Sequence, residues 1–125
     1  MAAGVCNLLI QQGETFSRVI TITDNQTIPV PINLTGYTAR ASIRPTADST
    51  VKTCDFVCTF DADRATGRIT ISLTDTTTSA IATTGKTAFD KLAKYQWDME
   101  IITADLKVTR LLNGQVDVSP EVTRV

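Results

Sequence analysis

The sequence predicts an all-β fold: an immunoglobulin-like antiparallel β-sandwich of about seven strands with one short helical crossover. Three observations predict it. Apolar and polar residues alternate in run after run, which is the period of a half-buried strand. Turn signals separate the runs, as they do in an antiparallel sandwich. Threonine supplies about one residue in six, and its β-branched side chain favours strands over helices.

The first alternating run sets Phe16, Arg18, Ile20 and Ile22 against Ser17, Val19, Thr21 and Thr23. It stops at the turn cluster Asp24-Asn25-Gln26. Residues 28–32 carry Pro29 and Pro31, which remove ladder donors, so an edge or an extended connector is expected there. After a turn at Thr35-Gly36, a one-sided strand sets Tyr37, Ala39, Ala41 and Ile43 against Thr38, Arg40, Ser42 and Arg44. Pro45 ends it and residues 46–50 read as loop. Cys54, Phe56, Cys58 and Phe60 form the next inward row, residues 61–67 a turn, and Ile69, Ile71 and Leu73 the row after that.

The pattern then breaks. Asp75 can cap a short helical turn through Ser79, Ala80 and Ile81. Ala88, Phe89, Leu92 and Ala93 have helix-like spacing over residues 86–94, where a short helix or an irregular crossover fits equally. Tyr95, Trp97, Met99 and Ile101 resume alternation. Ala104-Asp105 turns the chain, and residues 107–112 form the last long strand. Asn113-Gly114 is expected to interrupt it, because glycine in a strand often marks a bulge or bend. Residues 115–118 continue the strand and Pro120 ends it.

One domain spans residues 1–125, with short arms at 1–7 and 120–125. A chain of 125 residues can bury enough surface to fold without a metal or disulfide. Twelve Lys and Arg face thirteen Asp and Glu, for a net charge of −1, which argues against a general nucleic-acid binder. The absence of His rules out Ser-His-Asp and Cys-His catalysis and argues against a typical zinc site. No segment has the ~20 apolar residues of a membrane span, and the N-terminus lacks the basic start and apolar core of a secretory signal. The cysteines are Cys6, Cys54 and Cys58. Cys54 and Cys58 on one strand would lie about 13 Å apart, too far to bridge; they read as small core residues and free thiols.

Three constellations invite a chemical reading and each has a plainer one. Residues 80–87, ending Gly85-Lys86-Thr87, match a relaxed phosphate-loop pattern, but too few helices follow for a nucleotide-binding sheet, so they read as a loop. Asp61, Asp63 and Gly67 resemble a calcium loop, yet Ala65 stands at a ligand position and the closing Glu is absent, so a polar turn is expected. Asp98 and Glu100 share one strand face but read as its solvated or interfacial side rather than as an acid/base pair. The sequons at Asn25 and Asn33 carry little weight without a secretory signal. Arg40 and Arg44 share a strand face with small polar neighbours. They read either as part of a mixed-charge surface or as an interface, where the planar guanidinium pairs with carboxylates.

Several phrases, taken in order, resemble small structural proteins of tailed bacteriophages. They are Gln12-Gly-Glu-Thr-Phe16, residues 31–44, residues 66–74, Tyr95-Gln-Trp-Asp-Met-Glu-Ile101 and residues 110–124. The set is similar to the N-terminal domain of phage baseplate upper proteins and its relatives at tail-fibre and head-decoration positions. The resemblance implies a β-sandwich that joins other virion proteins and performs no chemistry. Baseplate upper proteins usually continue into a long helical or fibre-bearing region, whereas this chain stops at Val125. It is therefore expected to be a stand-alone adaptor or to dock through its termini.

The expected interface residues are Arg40 and Arg44 on the strand face, Val5 and Cys6 in the N-terminal arm, and Val122 and Arg124 in the C-terminal arm. No catalytic, cofactor-binding or metal-binding residue is expected. The expected role is a tail, neck or baseplate adaptor in the virion, assembled in the bacterial cytoplasm and oligomeric in the particle. Its partners would be tail, baseplate, fibre or capsid subunits, without nucleic acid or membrane. A capsid decoration or cement protein is the alternative. A carbohydrate-binding sandwich is weaker, because Tyr37, Tyr95 and Trp97 fall on apolar rows rather than on an exposed aromatic platform.

Overall fold

The computed structural model describes residues 4–24, 30–83 and 91–123. Its strands are β1 (Gly4–Val5), β2 (Leu8–Gln11), β3 (Phe16–Thr21), β4 (Thr38–Arg44), β5 (Cys54–Asp55), β6 (Val57–Phe60), β7 (Arg68–Leu73), β8 (Ala93–Ile102) and β9 (Val108–Ser119). A 3-10 turn covers Arg64–Thr66, and one helical turn, α1, covers Asp75–Ser79. The strands form two sheets. The larger runs β1-β9-β8-β4-β5, with β2 also on β9, and the smaller runs β3-β7-β6. These orders match the G-F-C and B-E-D orders of an immunoglobulin-type sandwich.

The alternating rows become the core. Ala41 and Ile43 from β4, Ile69, Ile71 and Leu73 from β7, Tyr95, Trp97, Met99 and Ile101 from β8, and Val116 and Val118 from β9 are all buried. Burial of this apolar area, at about 25 cal/mol per Å², is the main favourable term. Phe56 sits between β5 and β6, where the chain passes from the larger sheet to the smaller. Its ring lies 5.8 Å from Phe16 and 5.7 Å from Trp97, the latter edge-on. The α1 turn forms in the expected region, but Thr74 rather than Asp75 caps it, its hydroxyl accepting from the Thr77 amide, and the turn ends at Ser79 instead of running on to Ile81. Thr78 is buried; its hydroxyl accepts from the Gly13 amide at 3.1 Å and donates to the Glu14 carbonyl at 2.9 Å.

The two sheets bear out the all-β sandwich, and the structure corrects details of the sequence reading. The pairing is not purely antiparallel, because β1 and β2 both run parallel to β9. Gly4 and Val5 of the expected N-terminal arm are therefore strand, and just after it Leu8 and Ile10 are core residues. The last strand is continuous through Asn113-Gly114. Its irregularity lies where Met99 pairs Leu112 but Glu100 pairs Arg110, leaving Leu111 as the extra residue. That bulge turns both Leu111 and Leu112 toward the core. The helix considered over residues 86–94 is strand at Ala93 and Lys94; its earlier part, residues 86–90, lies outside the described residues.

Gly114 has a different task. A Cβ there would stand 2.1 Å from the Cys6 carbonyl oxygen. The missing side chain lets the β1–β2 junction cross close to β9. Trp97, paired with Gly114 across the ladder, donates its indole N–H to that same Cys6 oxygen at 2.7 Å. The Cys6 amide in turn donates to Asn113 at 2.8 Å. At the start of β8, the Tyr95 hydroxyl donates to the Ala82 carbonyl at 2.5 Å, much as a tyrosine corner ties this strand to the preceding connection.

Candidate interaction face

The outward row of β4 is Arg40, Ser42 and Arg44, and the ladder sets it beside Glu100, Asp98 and Gln96 of β8. Those in turn stand beside Arg110, Asn113 and Gln115 of β9. Val5 is in register with Asn113, and Leu9 with Asp117. Strand alternation thus puts the charged and amide side chains of three long strands on one surface. Two aliphatic side chains border it, Val5 at 77% and Leu9 at 55% exposure.

The charges are cross-linked but wet. Arg40 pairs with Glu100 at 2.7 Å, Arg110 with Asp98 at 3.5 Å, and Lys94 with Asp117 at 3.3 Å. Exposed pairs like these contribute about 0–1 kcal/mol each. The Arg44 guanidinium donates to the Ser49 carbonyl at 3.0 Å, which fixes it against the β4–β5 loop. At the sheet margin Asp55 accepts from the Ser42 hydroxyl at 2.6 Å and pairs with Lys52 at 3.0 Å. Those partners, the hydroxyl first, hold its carboxyl below the ordinary range. A concavity of about 340 Å³ opens in this face, lined by Ser42, Arg44, Gln96, Asp98, Arg110 and Asn113 among others.

Arg40, Arg44 and Val5 are therefore brought together. Cys6 lies just beyond the face, half-buried, with its backbone engaged by Trp97 and Asn113. Val122 is 76% exposed but follows the far end of β9, where the Glu121 amide donates to Gln12. Arg124 lies outside the described residues. Arg110, Gln96 and Asn113 were not singled out as interface residues from sequence. The ladder register that places them opposite Arg40 and Arg44 is a long-range property, although their polarity within an alternating strand was visible.

The other constellations are occupied by structure. Asp61 accepts from the Thr66 hydroxyl and from Arg68, which hold its carboxyl below the ordinary range. Asp63 caps the 3-10 turn through the Ala65 amide. Arg64 stacks 3.9 Å over the Phe60 ring and donates to the Leu34 and Tyr37 carbonyls. Among the described residues no group of three His, Cys, Asp or Glu could hold a metal ion. Gly85, Lys86 and Thr87 of the phosphate-loop pattern lie outside the described residues, as does the Asn25 sequon; Ile81, within the pattern, is a core residue. Trp97 and Tyr95 are buried, so they offer no stacking platform for a sugar. Cys54 and Cys58 are half-buried free thiols, and burial pushes both above their ordinary pKa, with Asp55 adding to the shift. Among the described residues no helix is long and apolar enough to cross a membrane.

No known family model matches the chain, and no curated protein matches it.

Proposed function

We propose that the chain is a non-catalytic assembly subunit that docks on neighbouring proteins through the outer face of its larger sheet. The observation that carries this reading is a concavity lined by Arg44 and Arg110, with Arg40 on the same sheet face and Val5 and Leu9 at its border. Planar guanidinium groups on a preorganised surface suit protein recognition, because they pair with carboxylates at little further ordering cost. The ion pairs of Arg40 with Glu100 and of Arg110 with Asp98 are exposed and add little to folding, which leaves them available for exchange with a partner's charges.

The resemblance to the N-terminal domain of phage baseplate upper proteins supports a more specific role: an adaptor in the tail, neck or baseplate of a tailed-phage virion. Mass spectrometry of purified virions from the source phage should find the chain at a fixed copy number. Its absence from the particle would overturn the virion role. The double variant Arg40→Glu, Arg110→Glu should fold, as judged by circular dichroism, yet be lost from particles. Undiminished incorporation would exclude this face as the docking surface. Radial position in a particle reconstruction separates a tail or baseplate location from the capsid surface.

A further inference from the structure

The hairpin between β8 and β9 carries an anomaly. Leu106 has φ +67°, the only positive value among the described non-glycine residues. Left-handed backbone is costly for a residue with a Cβ, and turns of this kind normally place Gly or Asn there. The leucine gains no burial in return, since it is 79% exposed. The turn is nonetheless held firmly. The Leu106 amide donates to the Thr103 carbonyl at 2.9 Å, and the Thr103 amide to the Lys107 carbonyl at 2.9 Å. The Lys107 amide donates to the Thr103 hydroxyl at 3.0 Å, and that hydroxyl donates to Asp105. A strained, rigid and solvent-facing leucine has the character of a preorganised anchor.

The same molecule carries a surface of complementary charge. The turn presents a carboxylate, an isobutyl group and an ammonium in succession at Asp105, Leu106 and Lys107. The concavity on the outer face holds Arg44 and Arg110, which suit the carboxylate, and Asp98, which suits the ammonium once its exposed 3.5 Å pair with Arg110 is exchanged. Its volume of about 340 Å³ has room for a leucyl side chain, and arginine stems can cover apolar groups. We propose that the 105–107 turn of one copy docks into the outer-face concavity of a second copy. The contact is heterologous: each copy keeps one unused turn or concavity, so copies join head to tail into a ring or an open row. This deepens the assembly reading and rests on it, by naming a second copy as one neighbour.

The test uses two variants that each keep half of the contact. Leu106→Asn keeps a residue that tolerates the left-handed backbone but removes the apolar anchor. Gln96→Trp fills the concavity from an exposed strand position that favours aromatics. In sedimentation velocity the unaltered chain should associate beyond a dimer as concentration rises, while each variant alone stays monomeric. An equimolar mixture of the two variants should stop at a heterodimer, because one copy supplies only the concavity and the other only the turn. Leu106→Asn should melt no lower than the parent chain, which separates lost contact from lost fold. The proposal is overturned if the parent chain is monomeric throughout, if Leu106→Asn still associates, or if the mixture forms no heterodimer. A monomeric parent leaves the virion role standing, since particle composition tests that separately.

Discussion

Gly114→Ala should be among the most damaging conservative changes in this chain. In an ordinary strand, replacing Gly by Ala stabilises by about 0.5–1 kcal/mol. Here the new Cβ would meet the Cys6 carbonyl oxygen at 2.1 Å and its carbon at 2.7 Å, both backbone atoms. Cys6 must retreat to ordinary contact, and its bonds to Trp97 at 2.7 Å and Asn113 at 2.8 Å are then lost. Two hydrogen bonds at about 1 kcal/mol each, plus about 1–3 kcal/mol for an orphaned indole N–H inside the core, give a gross cost of about 3–5 kcal/mol. After the backbone gain, roughly 3 kcal/mol of destabilisation remains, a fall in Tm on the order of 10 °C for a domain of this size. Urea titration and calorimetry measure it, and amide exchange near residues 113–115 should quicken. Gly4→Ala is the control, because its Cβ would meet the flexible end of Leu112 at 3.2 Å and the Leu111 carbonyl oxygen at an ordinary contact distance of 3.8 Å. A Gly114→Ala variant within about 0.5 kcal/mol of the parent would show that the β1–β2 junction is not held as described.

Two further outcomes follow from the core. Trp97→Ala should cost about 3–5 kcal/mol, whereas Trp97→Phe keeps a ring against Phe56 and loses the Cys6 bond, at about 1–3 kcal/mol; equal losses in urea titration would refute that division. Cys54 and Cys58 have raised thiol pKa values from burial, so iodoacetamide labelling should rise at higher pH in the folded chain than in the urea-unfolded chain. By linkage, the stability these thiols contribute is fully present below the unfolded thiol pKa and is lost as pH rises through the folded values. Coincident labelling profiles for the folded and unfolded chains would contradict this.

The core was legible wherever alternation is strict. Tyr95 to Ile101 and Ile69 to Leu73 read as inward rows from local pattern alone, and they are buried. The bulge was misplaced because Gly114 drew attention as a breaker, whereas the signal was the Leu111-Leu112 doublet, which strict alternation cannot turn to one side. β2 escaped notice because its four residues, Leu8–Gln11, are too few to establish a period. Its parallel pairing with β9 joins residues more than a hundred positions apart, which local propensity does not encode. Arg40 and Arg44 were visible as one strand face. The concavity was not, because it needs the β4-β8-β9 register, and Leu106 was hidden because φ is set by the turn and not by residue type.

The smaller sheet raises a problem of its own. Its strand β3 ends the order β3-β7-β6, so among the described residues one side of β3 has no ladder partner. An open edge is a template for pairing with other chains. In β3 the inward row reads Phe16, Arg18, Ile20, in register with Leu73, Ile71 and Ile69, so a charged side chain stands where the pattern calls for an apolar one. Arg18 remains exposed while Phe16 and Ile20 are half-buried. A strand docking on this edge would bring apolar side chains against that guanidinium and strip it of water, which is unfavourable without a paired anion. Arg18→Ile should therefore leave Tm unchanged or raise it, while lowering the concentration at which the folded chain aggregates. Light scattering on matched concentration series, with thioflavin binding to register new cross-strand pairing, would measure this. A variant as soluble as the parent would show that Arg18 does not guard the edge, and the reason for a charge in that row would have to lie elsewhere in the sandwich.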